Sequence, residues 1–265
     1  MNKLNHFTRY NPSPRYHELL DLYRQMHVEG ETLLNIAPKK TFPGKSLLSH
    51  AERLKILFES HGVKEVLDYG AGKGYQYSKK VRFEKPNKVF PNKVFRGIAD
   101  YWGVSVTCYD PAYPPYARLP ERTFDAVIAT DVLEHCPSED MAWILDEMFS
   151  RARKVVYANI PCYPAQKQLP NGENAHTTIR PVDWWWELVN YVAANYPKTA
   201  YFFIVTAKML GEDGEKKFIT SYFKKGVKEI GLPGRSMIFI NKKKKSQNQA
   251  GFFYRHSLRW LWCKN

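Results

Sequence analysis

The segment Val66-Leu67-Asp68-Tyr69-Gly70-Ala71-Gly72-Lys73-Gly74 limits the fold more than any other stretch of the chain. An apolar strand, residues 63–69, runs directly into five residues of which three are glycine. Glycine tolerates left-handed backbone and lets the chain approach a neighbour or a ligand closely. A helix should start directly after this glycine turn. The helix expected after Gly74 would offer free N-terminal amides to a polar or anionic group. Asp68, at the strand end, suits a cationic amino group better than a pyrophosphate.

The rest of the chain keeps the alternation. Residues 104–109 read as the second strand, closed by Asp110-Pro111. Residues 124–130 form a strand that runs into Asp131-Val132-Leu133-Glu134-His135. Further strands are expected at 154–160, closed by Pro161, at 199–207 and at 237–241. Helical spacing marks 139–150, with Met141, Ile144, Leu145 and Met148 inward, and 181–195. This order implies a doubly wound, mostly parallel sheet covered on both faces. In such sheets the ligand crevice lies beyond the carboxyl ends of the strands. Asp68, Asp110, Asp131 to His135 and Asn159 all fall there.

Upstream, residues 14–26 carry Leu19, Leu20, Leu22, Tyr23 and Met26 at helical spacing. A second helix, capped by Ser46 or Ser49, is expected to run to about Ser60. Leu47, Leu54, Ile56, Leu57 and Phe58 would be its apolar side, and His61-Gly62 its end. The organisation read from these signals is an N-terminal helical cap (1–62), a ligand-binding domain (63–241) and a basic, aromatic tail (242–265).

A chain of 265 residues is long enough for one substantial core. No apolar run approaches the roughly 18–20 residues that span a bilayer. Residues 1–10 lack the apolar region of a signal peptide, so a cytoplasmic protein is expected. None of the four cysteines, Cys108, Cys136, Cys162 and Cys263, sits in a CxxC pair. Buried free thiols are expected, and no metal site.

Lys plus Arg is 40 against 26 Asp plus Glu, a net charge of +14. That balance favours anionic partners, nucleic acid among them. Much of the excess is local, in Lys242 to Lys245 and in Lys216, Lys217, Lys224, Lys225 and Lys228. A nucleic-acid groove usually interleaves arginine and aromatic residues, so a solvated lysine face fits these runs better. Pro86-Asn87-Lys88-Val89-Phe90 is repeated at once as Pro91-Asn92-Lys93-Val94-Phe95. The unit is too short for a solenoid and reads as an insertion in a surface loop. The polar stretch 164–180 is a long loop, a class that is usually functional or disordered.

Two familiar nucleotide motifs fail on spacing. The dinucleotide fingerprint needs a third glycine where Tyr75 stands, and an acidic residue about 20 positions further on. Asp110 lies about twice as far away. No Gly-Lys-Ser/Thr follows at the distance that a phosphate-binding loop requires. Asp110 either accepts hydrogen bonds from two ribose hydroxyls or caps the turn at Pro111.

Asp68 to Gly74, Tyr109-Asp110-Pro111 and Phe124 to His135 resemble the ordered motifs of class I S-adenosylmethionine (SAM)-dependent methyltransferases. The likeness is greatest to methyltransferase-domain proteins of bacteria and their phages. It extends to Phe42-Pro43-Gly44-Lys45-Ser46-Leu47 and to Leu169 through Pro181 with the tryptophans after it, and covers roughly residues 16–190. The resemblance implies a Rossmann-like fold and SAM as cofactor. Asp68, Tyr69, Gly70, Ala71, Gly72 and Gly74 would form its methionine side. Asp110 and Pro111 would stand at the ribose, and Asp131 and Val132 at the sulfonium or adenine side. The chain departs from the pattern between Asp110 and Phe124. Only thirteen residues, 111–123, lie there, with prolines at 111, 114, 115 and 120. The usual helix and third strand do not fit, so an edge strand is short or missing.

Methyl transfer asks little of the protein beyond aligning the acceptor. An acceptor hydroxyl or ammonium usually needs a base. His176 in the long loop is the first candidate and His135 the second. Each has a plain alternative, loop packing for His176 and ordering of the strand-end turn for His135. Arg180 either holds an anionic acceptor or forms a structural ion pair. The tetrad of amino-methylating enzymes, Asn/Asp-Pro-Pro-Tyr, is missing after residue 130. Pro161-Cys162 stands one strand later than a cytosine methyltransferase would place its Pro-Cys pair. The expected function is methyl transfer to a small molecule or sugar-like metabolite. The alternatives are a nucleic-acid methyltransferase and a SAM-binding protein without catalysis.

Overall fold

The computed structural model describes residues 7–84, 93–210, 215–227 and 237–239. Six strands form the main sheet: β1 (Glu65–Tyr69), β3 (Ser105–Tyr109), β4 (Phe124–Thr130), β5 (Ala152–Cys162), β6 (Ala200–Leu210) and β7 (Lys216–Lys225). Their order is β3-β1-β4-β5-β6-β7. All neighbours are parallel except β6 and β7, which run antiparallel. The chain moves from β1 outward to β3 and returns to β4 on the other side of β1. A crevice therefore opens between the carboxyl ends of β1 and β4.

Side chains alternate between the two faces along each strand. Val127, Val156 and Phe203 pack under α5 (Met141–Arg151) and α6 (Val182–Ala193). Ala126, Ile128, Val155 and Tyr157 pack on the opposite face with α2 (Ala51–Ser60) and α4 (Ile98–Trp102). The sheet is doubly wound, as the alternation of strands and helices implies. Met141, Ile144, Leu145 and Met148 are all buried. β3 is the edge strand, and only a 3-10 turn, Pro114–Tyr116, stands between it and β4.

Helix α1 (Pro14–Glu29) begins where the Ser13 side chain accepts the Tyr16 amide, with proline at the first helical position. Its end is Gly30, at φ 89°, whose amide bonds the Met26 carbonyl. Ser13 also donates its own amide to Asp140, at 3.0 Å, which fixes the start of α1 to the start of α5.

Several local expectations are corrected. Neither Ser46 nor Ser49 caps a helix. Residues Ser46–His50 form a 3-10 turn, α2 starts at Ala51, and the Ser49 hydroxyl bonds the Ser46 carbonyl instead. Ile56 is exposed. The helix after the glycine turn, α3, is a single turn, Tyr75–Ser78, because Lys79 is already extended. A strand at 81–83, β2 (Val81–Phe83), follows it. β2 pairs antiparallel with β8 (Met237–Phe239) in a separate small sheet, so the last expected strand lies outside the main sheet. β5 runs through Pro161 to Cys162, because β6 still accompanies it there.

The lysine-rich stretch after residue 215 is β7, a strand that the sequence reading missed. Lys217, Lys224 and Lys225 are exposed along it. Lysines on an edge strand oppose pairing with another chain's edge. Cys162 is buried, and Cys108 and Cys136 are half-buried free thiols. The repeated pentapeptide, apart from 93–95, lies outside the described residues. So do the turn at 211–214, Lys228 and the tail from Lys242 with Cys263. Among the described residues no helix is long and apolar enough to cross a membrane.

Candidate functional site

A cavity of about 620 Å³ opens at the carboxyl ends of β1, β3 and β4. That is within the usual range of roughly 300–1,000 Å³ for small-molecule sites. One wall is the stripe Tyr16, Leu19, Leu20, Tyr23 and His27 of α1. These positions follow helical spacing, so one face of the helical cover forms part of the cavity wall.

The glycine turn forms the floor. Gly70 and Ala71 donate their amides to the Tyr109 carbonyl, at 2.8 and 3.0 Å. Gly72 donates to Asp110 Oδ2 at 2.9 Å, Lys73 to the Phe42 carbonyl and Gly74 to the Ala71 carbonyl. Every amide of the turn is thus satisfied inside the protein. The amides that precede the helix are committed to the protein, and the helix itself, Tyr75–Ser78, is a single turn. The glycines serve protein packing. A Cβ on Gly70 (φ 83°) would lie 2.4 Å from Val132, and one on Gly72 (φ 58°) 2.5 Å from the Phe42 carbonyl oxygen.

Three carboxylates line the cavity instead. Asp68 is buried, and its Oδ2 accepts from the Tyr77 hydroxyl at 2.8 Å and from Gln76 Nε2 at 3.1 Å. Among the described residues nothing donates to its Oδ1. Burial pushes the Asp68 carboxyl up to about 6, against the pull of those two hydrogen bonds. Asp110 accepts from Gly72 on Oδ2 and from the Ala112 amide on Oδ1, at 3.0 Å. It caps the turn at Pro111 and still lines the cavity. Burial raises its pKa too, opposed by the amides. Asp131 has a left-handed backbone, φ 54°, and accepts from Asn159 Nδ2 at 2.6 Å. A non-glycine residue held in that conformation is strained, a state that clusters at functional sites.

At the far end of the cavity the long loop meets the end of β4. The amides of Thr177 and Thr178 both bond the Glu134 carbonyl, and the Thr178 hydroxyl bonds the Cys136 carbonyl at 2.6 Å. These contacts bring His176 beside His135, with ring centroids 4.9 Å apart. Nδ1 of His135 lies 2.7 Å from the Ala175 carbonyl oxygen, and Nδ1 of His176 lies 2.6 Å from that of Tyr163. A carbonyl only accepts, so each Nδ1 carries the proton and each neutral ring keeps a lone pair on Nε2. Burial lowers the pKa of both rings, that of His135 to about 3.

Asp68, Tyr69, Gly70, Ala71, Gly72, Asp110, Pro111, Asp131, Val132, His135 and His176 therefore share one cavity. Gly74 does not line it and instead opens α3 in the left-handed conformation, packed on Tyr116. Arg180 stands outside it, exposed, donating to the Ser138 hydroxyl at 3.0 Å and lying against Trp184. The sequence reading missed His27, whose Nδ1 lies 3.1 Å from Lys73 Nζ and whose ring stacks on Tyr113. It also missed Gln76 and Tyr77, which hold Asp68. His27 and Tyr23 sit four residues apart on the α1 stripe, a spacing that reads as core as readily as site.

No protein-family model matches the chain, and no curated protein does. Among solved structures it is similar to a 1,6-didemethyltoxoflavin-N1-methyltransferase of Burkholderia thailandensis, solved with 1,6-didemethyltoxoflavin and S-adenosylhomocysteine. The identity is 15%, the TM-score 0.46, and the match covers 81% of this chain and 92% of the other.

Proposed function

We propose that this chain binds SAM and transfers its methyl group to a small-molecule acceptor. The chemistry of the cavity wall carries this reading. Asp68, Asp110 and Asp131 end three adjacent strands, beside a glycine turn whose amides are all used internally. Carboxylates at the strand ends suit a ligand that brings hydrogen-bond donors there, and Lys40, Lys45 and Lys167 also line the cavity. SAM carries an ammonium, a sulfonium and a ribose diol, and no phosphate.

Bound SAM supplies a methyl group on a sulfonium, already a good leaving group. The work left to the protein is binding and alignment. Asp68 offers Oδ1 to the amino group, and Asp110 offers its remaining lone pairs to the ribose hydroxyls. Asp131 and Val132 flank the sulfonium or adenine side. Tyr69, Gly70, Ala71, Gly72 and Pro111 shape the walls. In the metal-free protein an Nε2 lone pair takes the acceptor's proton. His176 serves better than His135, whose depressed pKa makes it a weak base near neutral pH. Arg180, outside the cavity, has no part in this reading.

Calorimetric titration with S-adenosylhomocysteine tests the reading. Micromolar binding at one site is expected, and no heat with well-folded protein overturns it. The pH profile adds a second check. A cationic amino group needs Asp68 ionised, so affinity should weaken as pH falls through about 6. The limiting slope is about tenfold per pH unit. Stability of the unliganded protein should move the other way. The folded-state pKa of Asp68 lies above the unfolded value of about 3.9. Its contribution is therefore fully present below that pH and lost as pH rises through about 6. An affinity constant between pH 7.5 and 5 would count against the role of Asp68.

A further inference from the structure

Glu134 is completely buried behind the two histidines, and neither of its side-chain oxygens has a hydrogen-bond partner. Buried polar groups are paired in nearly all native structures, so such a group calls for an explanation. What faces it is equally unusual. Nε2 of His135 lies 3.9 Å from Glu134 Oε1, and Nε2 of His176 lies 3.8 Å from the same oxygen. All three atoms lie within 4.8 Å of one another. Each Nε2 carries a lone pair, because each Nδ1 proton is committed to a backbone carbonyl. Three acceptors thus converge on one point. The gaps are too long for a hydrogen bond. The two gaps to Glu134 are short enough for one shared cation, since two ligands each about 2.1 Å from an ion stand at most about 4.2 Å apart, and small side-chain adjustments close the remaining gap, which is within 4.8 Å.

The surroundings fit the same occupant. Imidazole ligands of metals commonly donate their other ring N–H to a backbone carbonyl, which fixes tautomer and orientation. Both rings here do so. Glu134 is completely buried, a costly state for a carboxylate. A dication would reverse that penalty.

We propose that Glu134 Oε1, His135 Nε2 and His176 Nε2 form a binding site for a divalent transition ion. Two imidazoles and one carboxylate suit zinc, manganese, cobalt or ferrous iron, rather than magnesium or calcium. His135 and His176 line the cavity, so the proposed ion would stand at its edge. An oxygen or nitrogen donor of a small ligand can complete the shell. With an ion bound, the two Nε2 atoms are ligands and no longer proton acceptors. Cysteine spacing could not announce this site, because it uses no cysteine. It rests on these three side chains and not on SAM binding, so its test is independent of the test for SAM.

The experiment is a Co²⁺ titration of the chelator-treated full chain, read by visible absorption and calorimetry. One equivalent should bind. Affinity should fall at least about 100-fold in the His135→Ala/His176→Ala double variant, since outer-shell partners alone are worth about 10–100-fold. Glu134→Gln should weaken binding by about tenfold or more. Thermal melts confirm that each variant folds. X-ray absorption of the zinc-loaded wild-type chain, which should count two imidazole ligands, replaces any variant that does not fold. Absence of binding to the folded wild type, unchanged affinity in the double variant, or fewer than two imidazoles would overturn the site.

Discussion

Replacing Asp110 by alanine is expected to abolish measurable S-adenosylhomocysteine binding and to destabilise the protein. The carboxylate has two tasks. It accepts the amides of Gly72 and Ala112 and so ties the glycine turn to the end of β3. In the proposed function it also accepts the ribose hydroxyls. Hydrogen bonds to a charged group contribute about 1.5–3 kcal/mol each. Losing two of them in the complex corresponds to at least about a 100-fold loss of affinity. In the free protein, two amides left without partners cost about 1–3 kcal/mol each, reduced by whatever water enters from the cavity. Asp110→Asn keeps the volume and one acceptor oxygen, and should fall between the two. Calorimetry and thermal unfolding on the same preparations separate the effects. A folded Asp110→Ala variant that binds within threefold of wild type would remove Asp110 from the ligand site.

Gly72→Ala is expected to produce the largest stability loss of any single methyl addition in the turn. Gly72 has φ 58°, and an added Cβ would meet the Phe42 carbonyl oxygen at 2.5 Å. The left-handed conformation alone costs an L-residue about 1–2 kcal/mol. The overlap adds about 1–3 kcal/mol, because the obstacle is backbone and not a flexible side chain. That carbonyl also accepts the Lys73 amide, and Phe42 itself has φ 49°. The loop around Phe42 has little freedom to retreat. The expected sum is about 2–5 kcal/mol by denaturant unfolding, with weaker ligand binding, since Phe42 and Gly72 both line the cavity. Gly103→Ala is the comparison. It shares a positive φ, 70°, but nothing lies within 4 Å of its added Cβ. It should show the conformational cost alone. Equal losses at the two positions would remove the packing argument.

The sequence by itself determined the parts of this protein that are written in local pattern. Short apolar runs set β1 and β4, alternation set β3, and helical spacing set the buried face of α5, because side-chain direction repeats every two residues in a strand and about every 3.6 in a helix. The order of strands and helices implied a doubly wound sheet, and that in turn set where a ligand site would lie. Asp68, Asp110 and Asp131 were legible as candidate site residues for that reason, and all three line the cavity at the strand ends. The thirteen residues after Asp110 were too few for another helix and strand, and β3 is indeed the edge.

Other features depended on contacts between distant segments, which no local window contains. The amides of the glycine turn find partners in Tyr109, Asp110 and Phe42, 30 or more positions away, which no local pattern shows. α1 read as cover, and only its placement over the crevice makes Tyr23 and His27 part of the cavity wall. β7 looked like a solvated lysine run, because an antiparallel edge strand gains its order from pairing with β6 more than from its own residues. The convergence of Glu134, His135 and His176 needed the long loop to dock on the Glu134 carbonyl, bringing residues some 40 positions apart into contact. Sequence pattern specifies which way a side chain points from its own element. Which side chains meet is decided by the packing of elements against one another, since burial and hydrogen-bond satisfaction are met only by the whole assembly.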